Sequence, residues 1–298
     1  MNRVLCRVMF AMAIALSALL ACCGALYLRA GSDGVKQPFH RLDERFFGER
    51  LMGTWAALTT SEDWSQARSL SRPQDYAWLR GYRSWIAVAH ALGESTGPAP
   101  NTIAALERSR TSGFSLFEVD LSLVDGVLRC QHDPERFAPP RADDCRFDSL
   151  VSALPRDNAW LVLDIKTDFA TTGAKIVQEL RRSGRARQVI FQLYQPSHLA
   201  LFDEWQKSVD LPGPIVTTYL AHRAVNDIAA ETARAGVRAF TLPTWRLPGF
   251  SHRPAQLEVF VHPVHDCETL RDARASGVRG IYTLNSLHCA DLPPIIDN

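Results

Sequence analysis

The chain has 298 residues, of which 46% are hydrophobic and 22% are charged, and its net charge is +1. This composition is typical of a globular protein with one sizeable core. The balanced charge, with no basic tract and no aromatic-basic repeat, argues against a nucleic-acid partner. The sequence contains no internal repeat and no low-complexity segment.

Residues 1–30 predict the location of the protein. Arg3 and Arg7 precede an uncharged run from Val8 to Leu28, and a bilayer core needs roughly 20 apolar residues. Positive charge on the short N-terminal side predicts that the rest of the chain lies outside the cytoplasm, as a membrane-anchored or secreted periplasmic protein. Three forms stay open: an uncleaved signal anchor, a cleaved signal peptide, and a lipoprotein with Cys22 as an imperfect attachment site.

Residues 31–82 are predicted to form a helical juxtamembrane extension that packs on the membrane or on the following domain. Phe46, Phe47, Leu51 and Trp55 recur there at helical spacing.

From residue 83 onward, apolar runs alternate with amphipathic segments. Strands are predicted near 85–90, 115–121, 160–166, 188–194, 214–219, 238–243, 257–263 and 279–283. Helices are predicted at 101–111, 146–154, 171–183, 196–207, 224–235 and 267–276.

Eight strands in this alternation predict an α/β fold, a TIM (β/α)8 barrel, over residues 83–298. About 265 residues follow the first thirty or so, close to the ~250 that are typical of such a barrel. We expect an irregular connection after the sixth strand, because L-P-G-F-S-H-R-P is too short for a normal helix.

Carboxylates end two of the predicted strands. Glu118 and Asp120 are two residues apart, so they share one face of their strand. Asp164, in W-L-V-L-D-I-K, shares its strand face with Lys166. Neighbouring carboxylates repel each other unless a cation or a proton intervenes. We therefore predict that Glu118, Asp120 and Asp164 bind one divalent cation, Mg²⁺ or Ca²⁺.

Two histidines accompany this set. His90 ends the first strand, and His132 follows D-G-V-L-R-C-Q. Imidazoles exchange protons near neutral pH, so the pair can serve as general base and general acid beside a phosphate held by the cation. The alternatives are a hydrogen-bonded core histidine at position 90 and a simple turn at 132–134.

These motifs together resemble a known family. In order they read A-H-A-L-G at 89–93, A-P-N-T at 99–102, G-F-S-L-F-E-V-D at 113–120, D-G-V-L-R-C-Q-H-D at 125–133 and L-D-I-K at 163–166. The ordered set resembles the glycerophosphodiester phosphodiesterases, within the phosphatidylinositol phospholipase C-like TIM-barrel superfamily, over roughly residues 83–290. The most similar branch carries A-H-A and D-x-K where the family has A-H-R and E-x-K.

The resemblance implies a metal-dependent phosphodiesterase that cleaves a glycerophosphodiester or a phospholipid headgroup by His/His acid-base catalysis. Ala91 stands where the family's arginine contacts phosphate, Pro100 replaces a glutamate, and Leu284 replaces an aspartate. These departures leave two alternatives open. One is a catalytically weakened barrel that acts as an envelope lipid- or polymer-binding accessory protein. The other is a phospholipase D/C-like enzyme that cyclises its substrate or transfers the phosphoryl group.

Five residues are predicted to contact the substrate or its phosphate: Lys166, Asn101, Gln192, Tyr194 and His262. For Asn101 the alternatives are a contact to a metal ligand and the N-cap of the following helix.

Three of the seven cysteines lie in the predicted membrane segment, and the other four are Cys130, Cys145, Cys267 and Cys289. In a barrel, the first pair brackets the loop of His132, and the second pair follows the last two strands at the same rim. We predict both pairs as disulfides, in keeping with an oxidising compartment. Four unpaired buried thiols are the alternative.

Overall fold

The computed structural model describes residues 64–80, 82, 85–93, 100–132, 145–156, 158–219, 223–250, 253–290 and 292–293. The predicted membrane segment and most of the predicted extension lie outside these ranges. Within them, no helix has the length and apolar character needed to cross a bilayer.

In the described part of the chain, nine strands form one sheet. They are β1 (Ile86–Ala89), β2 (Leu116–Val124), β3 (Val127–Cys130), β4 (Trp160–Ile165), β5 (Val189–Leu193), β6 (Ile215–Thr217), β7 (Ala239–Pro243), β8 (Glu258–His262) and β9 (Gly280–Thr283). All except β3 are parallel to their neighbours, and β1 pairs with both β2 and β9. The sheet therefore closes on itself, which confirms the predicted eight-stranded barrel.

Helices connect most of the barrel strands. They are α1 (Ile103–Thr111), α2 (Phe147–Ala153), α3 (Phe169–Ser183), α4 (Pro196–Trp205), α5 (Val225–Arg234) and α6 (Cys267–Ala275). The predicted ends agree closely, although α3 begins earlier than predicted because Asp168 caps it by accepting a hydrogen bond from the Thr171 N–H. Between β7 and β8 the described residues form a short 3-10 helix, Thr244–Gly249, in place of an α-helix, which confirms the irregular connection.

β3 is absent from the predicted elements. It pairs antiparallel with the end of β2 across a two-residue turn in which Asp125 and Gly126 have φ values of 49° and 77°. Asp-Gly is a favoured dipeptide for such turns, so the signal was present in the sequence. The hairpin leads the chain to Cys130 and then to His132.

Aromatic side chains close the base of the barrel. Tyr76 and Trp78, from the segment before β1, pack against the first inward residues of the strands, including Ile86 and Phe260. The Trp78 indole N–H donates a hydrogen bond to the Gly213 carbonyl at 3.0 Å. Among the described residues, the base is thus filled mainly by aromatic and aliphatic side chains.

Candidate active site

The three predicted carboxylates lie together near the C-terminal ends of β2 and β4. Asp120 and Asp164 are direct neighbours in the parallel pairing of these strands. Glu118, Asp120 and Asp164 are 1%, 4% and 7% exposed. One oxygen of each carboxylate lies within 4.8 Å of those of the other two. Strand alternation therefore produces a buried triad at the face where TIM-barrel enzymes carry their active sites.

A different neutral donor holds each carboxylate. The Ala91 N–H donates to Glu118 Oε2 at 2.7 Å, and Asn101 Nδ2 donates to Asp120 Oδ2 at 2.7 Å. The Tyr194 hydroxyl donates to Asp164 Oδ2 at 2.8 Å. These bonds fix the three carboxylates relative to one another.

Asn101 contacts a predicted metal ligand. Besides the hydrogen bond that its Nδ2 donates to the Asp120 carboxylate, its Oδ1 accepts a hydrogen bond from the backbone N–H of Asp120 at 3.0 Å. The side chain that caps α1 is Thr102, whose Oγ1 accepts the Ala105 N–H at 3.1 Å. The N-cap alternative for Asn101 is therefore wrong.

Lys166 lies between two of the carboxylates. Its Nζ is 3.0 Å from Asp120 Oδ1 and 2.8 Å from Asp164 Oδ2. Burial by itself lowers the pKa of Lys166, but the charges of Asp120, Asp164 and Glu118 outweigh burial and raise it well above its ordinary value. The ammonium group therefore stays charged.

The residues present fit a divalent cation. Glu118 Oε1 and Asp164 Oδ1 are buried without a hydrogen-bond partner among the described residues, and three carboxylates face the single ammonium of Lys166. Burial, followed by repulsion from Asp120 and Asp164, raises the pKa of Glu118 well above its ordinary value. Such a cluster is stabilised by a hard cation, whose preferred ligands are carboxylate oxygens.

His90 directly follows β1 and borders the triad. Its Nε2 is 3.8 Å from Glu118 Oε2, and 33% of its side chain is exposed. Burial of the ring is the main cause that lowers the pKa of His90 to about 4. The ring is therefore neutral near pH 7, and a cation bound nearby would only lower its pKa further.

Two further side chains pack on His90 that the sequence did not single out for the site. The His265 ring lies nearly parallel to it, with 6.5 Å between centroids, and the Tyr282 ring meets it edge-on at 6.4 Å. Tyr282 lies on β9, which closes the barrel beside β1. The inward register of β9 was the available signal for Tyr282; His265, beyond the end of β8, has no comparable signal.

His132 lies at the same rim, on the Asp120 side. Its side chain is exposed, and Ser122 Oγ donates to the carbonyl of the preceding Gln131 at 3.1 Å. Burial raises the pKa of Asp120, whereas Lys166, followed by His132 and His90, lowers it to a net value of about 2. This effect puts His132 within electrostatic range of the triad.

Both predicted cysteine pairs are bonded. Cys130 and Cys145 are joined with a Cα–Cα distance of 5.3 Å, and Cys267 and Cys289 with 5.7 Å. The first bridge ties the end of β3, two residues before His132, to the start of α2. It therefore restricts the backbone that carries His132.

The remaining predicted contacts come from β5 and β8, and their polar atoms are bonded to other side chains. Gln192 Nε2 donates to the Tyr194 hydroxyl at 2.7 Å. His262 uses both ring nitrogens, with Nε2 2.7 Å from the Tyr219 hydroxyl and Nδ1 2.8 Å from Thr241 Oγ1. These residues line the barrel, but their hydrogen bonds run within the protein.

Comparisons with known proteins agree at the level of fold. No protein-family model and no curated protein sequence matches the chain. A glycerophosphodiester phosphodiesterase from Parabacteroides distasonis superposes with a TM-score of 0.56 and 16% identity, over 68% of this chain and 94% of that one. A phosphodiesterase from Oleispira antarctica, in complex with its product sn-glycerol-3-phosphate, gives 0.54 and 14%, over 66% and 92%. The chain thus has the barrel fold of these phosphodiesterases.

Proposed function

We propose that the protein is a divalent-cation-dependent phosphodiesterase that hydrolyses a glycerophosphodiester or a phospholipid headgroup by His/His acid-base catalysis. The observation that carries the proposal is the buried triad beside the ring of His90, in which Glu118 Oε1 and Asp164 Oδ1 have no hydrogen-bond partner among the described residues. Such a site suits a cation and an anionic substrate. The fold shared with known phosphodiesterases supports the same reaction class.

The chain's own side chains supply the proton transfers. Glu118, Asp120 and Asp164 would hold the cation, which when bound supplies positive charge against the phosphate. His90 accepts the proton of the attacking hydroxyl as the new P–O bond forms. His132 donates a proton to the leaving oxygen as the old P–O bond breaks, so no covalent protein intermediate is needed. Lys166 adds positive charge beside the same phosphate.

Ala91 stands where the resembling family has the arginine that contacts phosphate, so in this proposal the cation and Lys166 hold the phosphate. The attacking hydroxyl is water in the hydrolytic form of this proposal. A neighbouring hydroxyl of the substrate would give a cyclic phosphate instead, and phosphorus NMR of the products distinguishes the two.

The direct test is an assay of the full chain against glycerophosphocholine, glycerophosphoethanolamine, a lysophospholipid and phosphatidylinositol. The protein is assayed after chelation and again after Mg²⁺ or Ca²⁺ is restored. We expect turnover of at least one substrate that disappears with the chelator and returns with the cation. Equal turnover with and without cation, or no turnover of any of these substrates, would contradict the proposal.

We also propose that the domain acts outside the cytoplasm, attached to the membrane through residues 1–30 or released after their cleavage. The uncharged N-terminal run and the two disulfides support this location. Fractionation of cells that express the full chain, with non-reducing electrophoresis of each fraction, tests it. A reduced protein confined to the cytoplasm would contradict it.

A further inference from the structure

The carboxylate of Asp164 is held on one side only. Lys166 Nζ and the Tyr194 hydroxyl both donate to Oδ2, each at 2.8 Å. The other oxygen, Oδ1, is buried and has no hydrogen-bond partner among the described residues. Lys166 and Tyr194 therefore occupy Oδ2, and Oδ1 is the oxygen of Asp164 that is left for a bound cation.

Gln192 reinforces the donor role of Tyr194. A tyrosine hydroxyl has one proton and donates once, whereas an amide nitrogen only donates. Gln192 Nε2 lies 2.7 Å from the Tyr194 hydroxyl, so it occupies an acceptor position of that oxygen. The single proton of Tyr194 is thereby left for Asp164.

Tyr282 extends this row of hydrogen bonds on the other side of Gln192. Its hydroxyl donates to Gln192 Oε1 at 3.4 Å, which favours the amide orientation that turns Nε2 toward Tyr194. The hydrogen bonds thus run in one direction, from β9 through β5 to Asp164 on β4. Gln192 and Tyr282 are buried, at 5% and 3% exposed, so water does not readily compete for these bonds.

We infer that Tyr194 and Gln192 are positioning residues that orient Asp164 for the cation, rather than contacts to the substrate phosphate. The inference rests on the proposed function, because it concerns the cation that the triad would bind. Hydrogen-bond partners of metal ligands commonly change metal affinity by about 10–100-fold when they are removed.

The test is calorimetric titration of Ca²⁺, and separately of Mg²⁺, into the purified full chain. For Tyr194→Phe we expect the cation dissociation constant to rise by about 10–100-fold. The rate of phosphodiester hydrolysis should return toward the wild-type rate at saturating cation, because the substitution weakens one ligand without removing it. A purely structural role would lower the rate at every cation concentration.

Tyr219→Phe is the matched control. The Tyr219 ring stacks on that of Tyr194 with 6.2 Å between centroids, and its hydroxyl bonds to His262 Nε2. It loses the same atom from the same aromatic pair, so we expect its cation dissociation constant to change little. Gln192→Met keeps a similar size without the amide, and it should weaken cation binding less than Tyr194→Phe because Tyr194 keeps its proton.

The outcomes separate this inference from the proposed function. Wild-type cation affinity in Tyr194→Phe, or equal losses in Tyr194→Phe and Tyr219→Phe, would overturn the inference and leave the phosphodiesterase proposal standing. A wild-type protein that binds neither cation would overturn both. Circular dichroism checks the folding of each variant. If Tyr194→Phe does not fold, Gln192→Met decides, and wild-type affinity there would overturn the inference.

Discussion

The mouth of the barrel consists of two unlike halves. β1, β2 and β4 carry the charged half, which comprises His90, Glu118, Asp120, Asp164 and Lys166. β5 to β9 carry the uncharged half, which comprises Gln192, Tyr194, Tyr219, Thr241, His262 and Tyr282. The uncharged side chains bond to one another. In the charged half, Glu118 Oε1, Asp164 Oδ1 and His90 Nδ1 are buried and have no partner in the part of the chain that the structure describes.

This difference indicates where a ligand binds. A buried polar group without a partner costs about 1–3 kcal/mol, and more when it is charged. In the uncharged half the protein avoids most of that cost by internal bonds, with Thr217 Oγ1 as an exception. In the charged half the free-energy cost of these buried polar atoms remains, and a bound cation and phosphate would remove it.

The backbone of the two halves also differs, in the φ values of residues other than glycine. Ala91, Leu92 and Asn101, in the connection from β1 to α1, have φ values of 49°, 65° and 59°. From β4 onward, every described residue with positive φ is a glycine. The unfavourable connection supplies the Ala91 N–H and the Asn101 side chain to the triad. Strained backbone of this kind is typical of functional sites.

The largest expected effect comes from His90→Ala. If His90 is the general base, kcat for phosphodiester hydrolysis should fall by about 10²–10⁴-fold, while the fold and the cation affinity persist. His288→Ala is the control, because His288 is exposed and lies outside both halves, and it should retain wild-type turnover. Steady-state kinetics at saturating cation measures the effect. Full activity in His90→Ala would contradict the role of His90 as the general base and, with it, the assignment of the reaction to the charged half.

Glu118→Gln should stabilise the cation-free protein and weaken cation binding. Without cation, the variant should unfold at a higher temperature than the wild type, because a buried negative charge beside two others is removed. With cation, the wild type should gain stability, by about 2.7 kcal/mol at a concentration 100 times its dissociation constant, and the variant should gain far less. Thermal unfolding with chelator and with Ca²⁺ or Mg²⁺ measures both effects. A cation gain in Glu118→Gln that equals the wild-type gain would exclude this carboxylate as a ligand.

Much of this arrangement follows from the sequence. The eight barrel strands and six helices follow from the alternation of apolar runs with helical segments along the sequence, and strand alternation alone puts Glu118 and Asp120 on one face. The hairpin after β2 was missed although Asp125 and Gly126 signal its turn. The contact of Tyr282 with His90 needed the closed sheet, since these residues are neighbours only because β9 pairs with β1.

The hydrogen-bonding pattern of the site was harder to predict from the sequence. Alanine carries no signal for positive φ, so the backbone of Ala91 and its bond to Glu118 did not follow from the A-H-A motif. Gln192 and Tyr194 were predicted on the correct strand face, but their partners depend on side-chain orientation. Sequence alternation fixes which residues face the cavity, and it does not fix which of them bond to one another.

A smaller effect is expected from pH on the uncharged half. Burial, with added repulsion from His90 and Lys166, lowers the pKa of His262 to about 3, against an ordinary value near 6.5. Between these values the unfolded chain binds a proton that the folded protein excludes, so the free energy of unfolding falls as the pH falls. From pH 7 to pH 4.5 the contribution of His262 to this fall should be about 2.5 kcal/mol.

His262→Gln tests this contribution, because glutamine can bond to Tyr219 and Thr241 and does not titrate. Urea unfolding at pH 7 and pH 4.5, with chelator present, should show a smaller loss of stability in the variant than in the wild type. Parallel losses would mean that His262 gains its proton without cost. The stability of the uncharged half would then not require a neutral His262.

The smallest expected effect concerns the backbone of the charged half. Ala89 and Ala91 are both buried alanines, at 0% and 7% exposed, but only Ala91 has positive φ. Glycine at either position loses a methyl group and gains unfolded-state entropy. Only at Ala91 does it also relieve the left-handed conformation, so Ala91→Gly should be about 1 kcal/mol less destabilising than Ala89→Gly. Urea unfolding of both variants in chelator measures the difference. Equal losses would show that the connection after β1 is not strained, and the two halves would then differ only in their side chains.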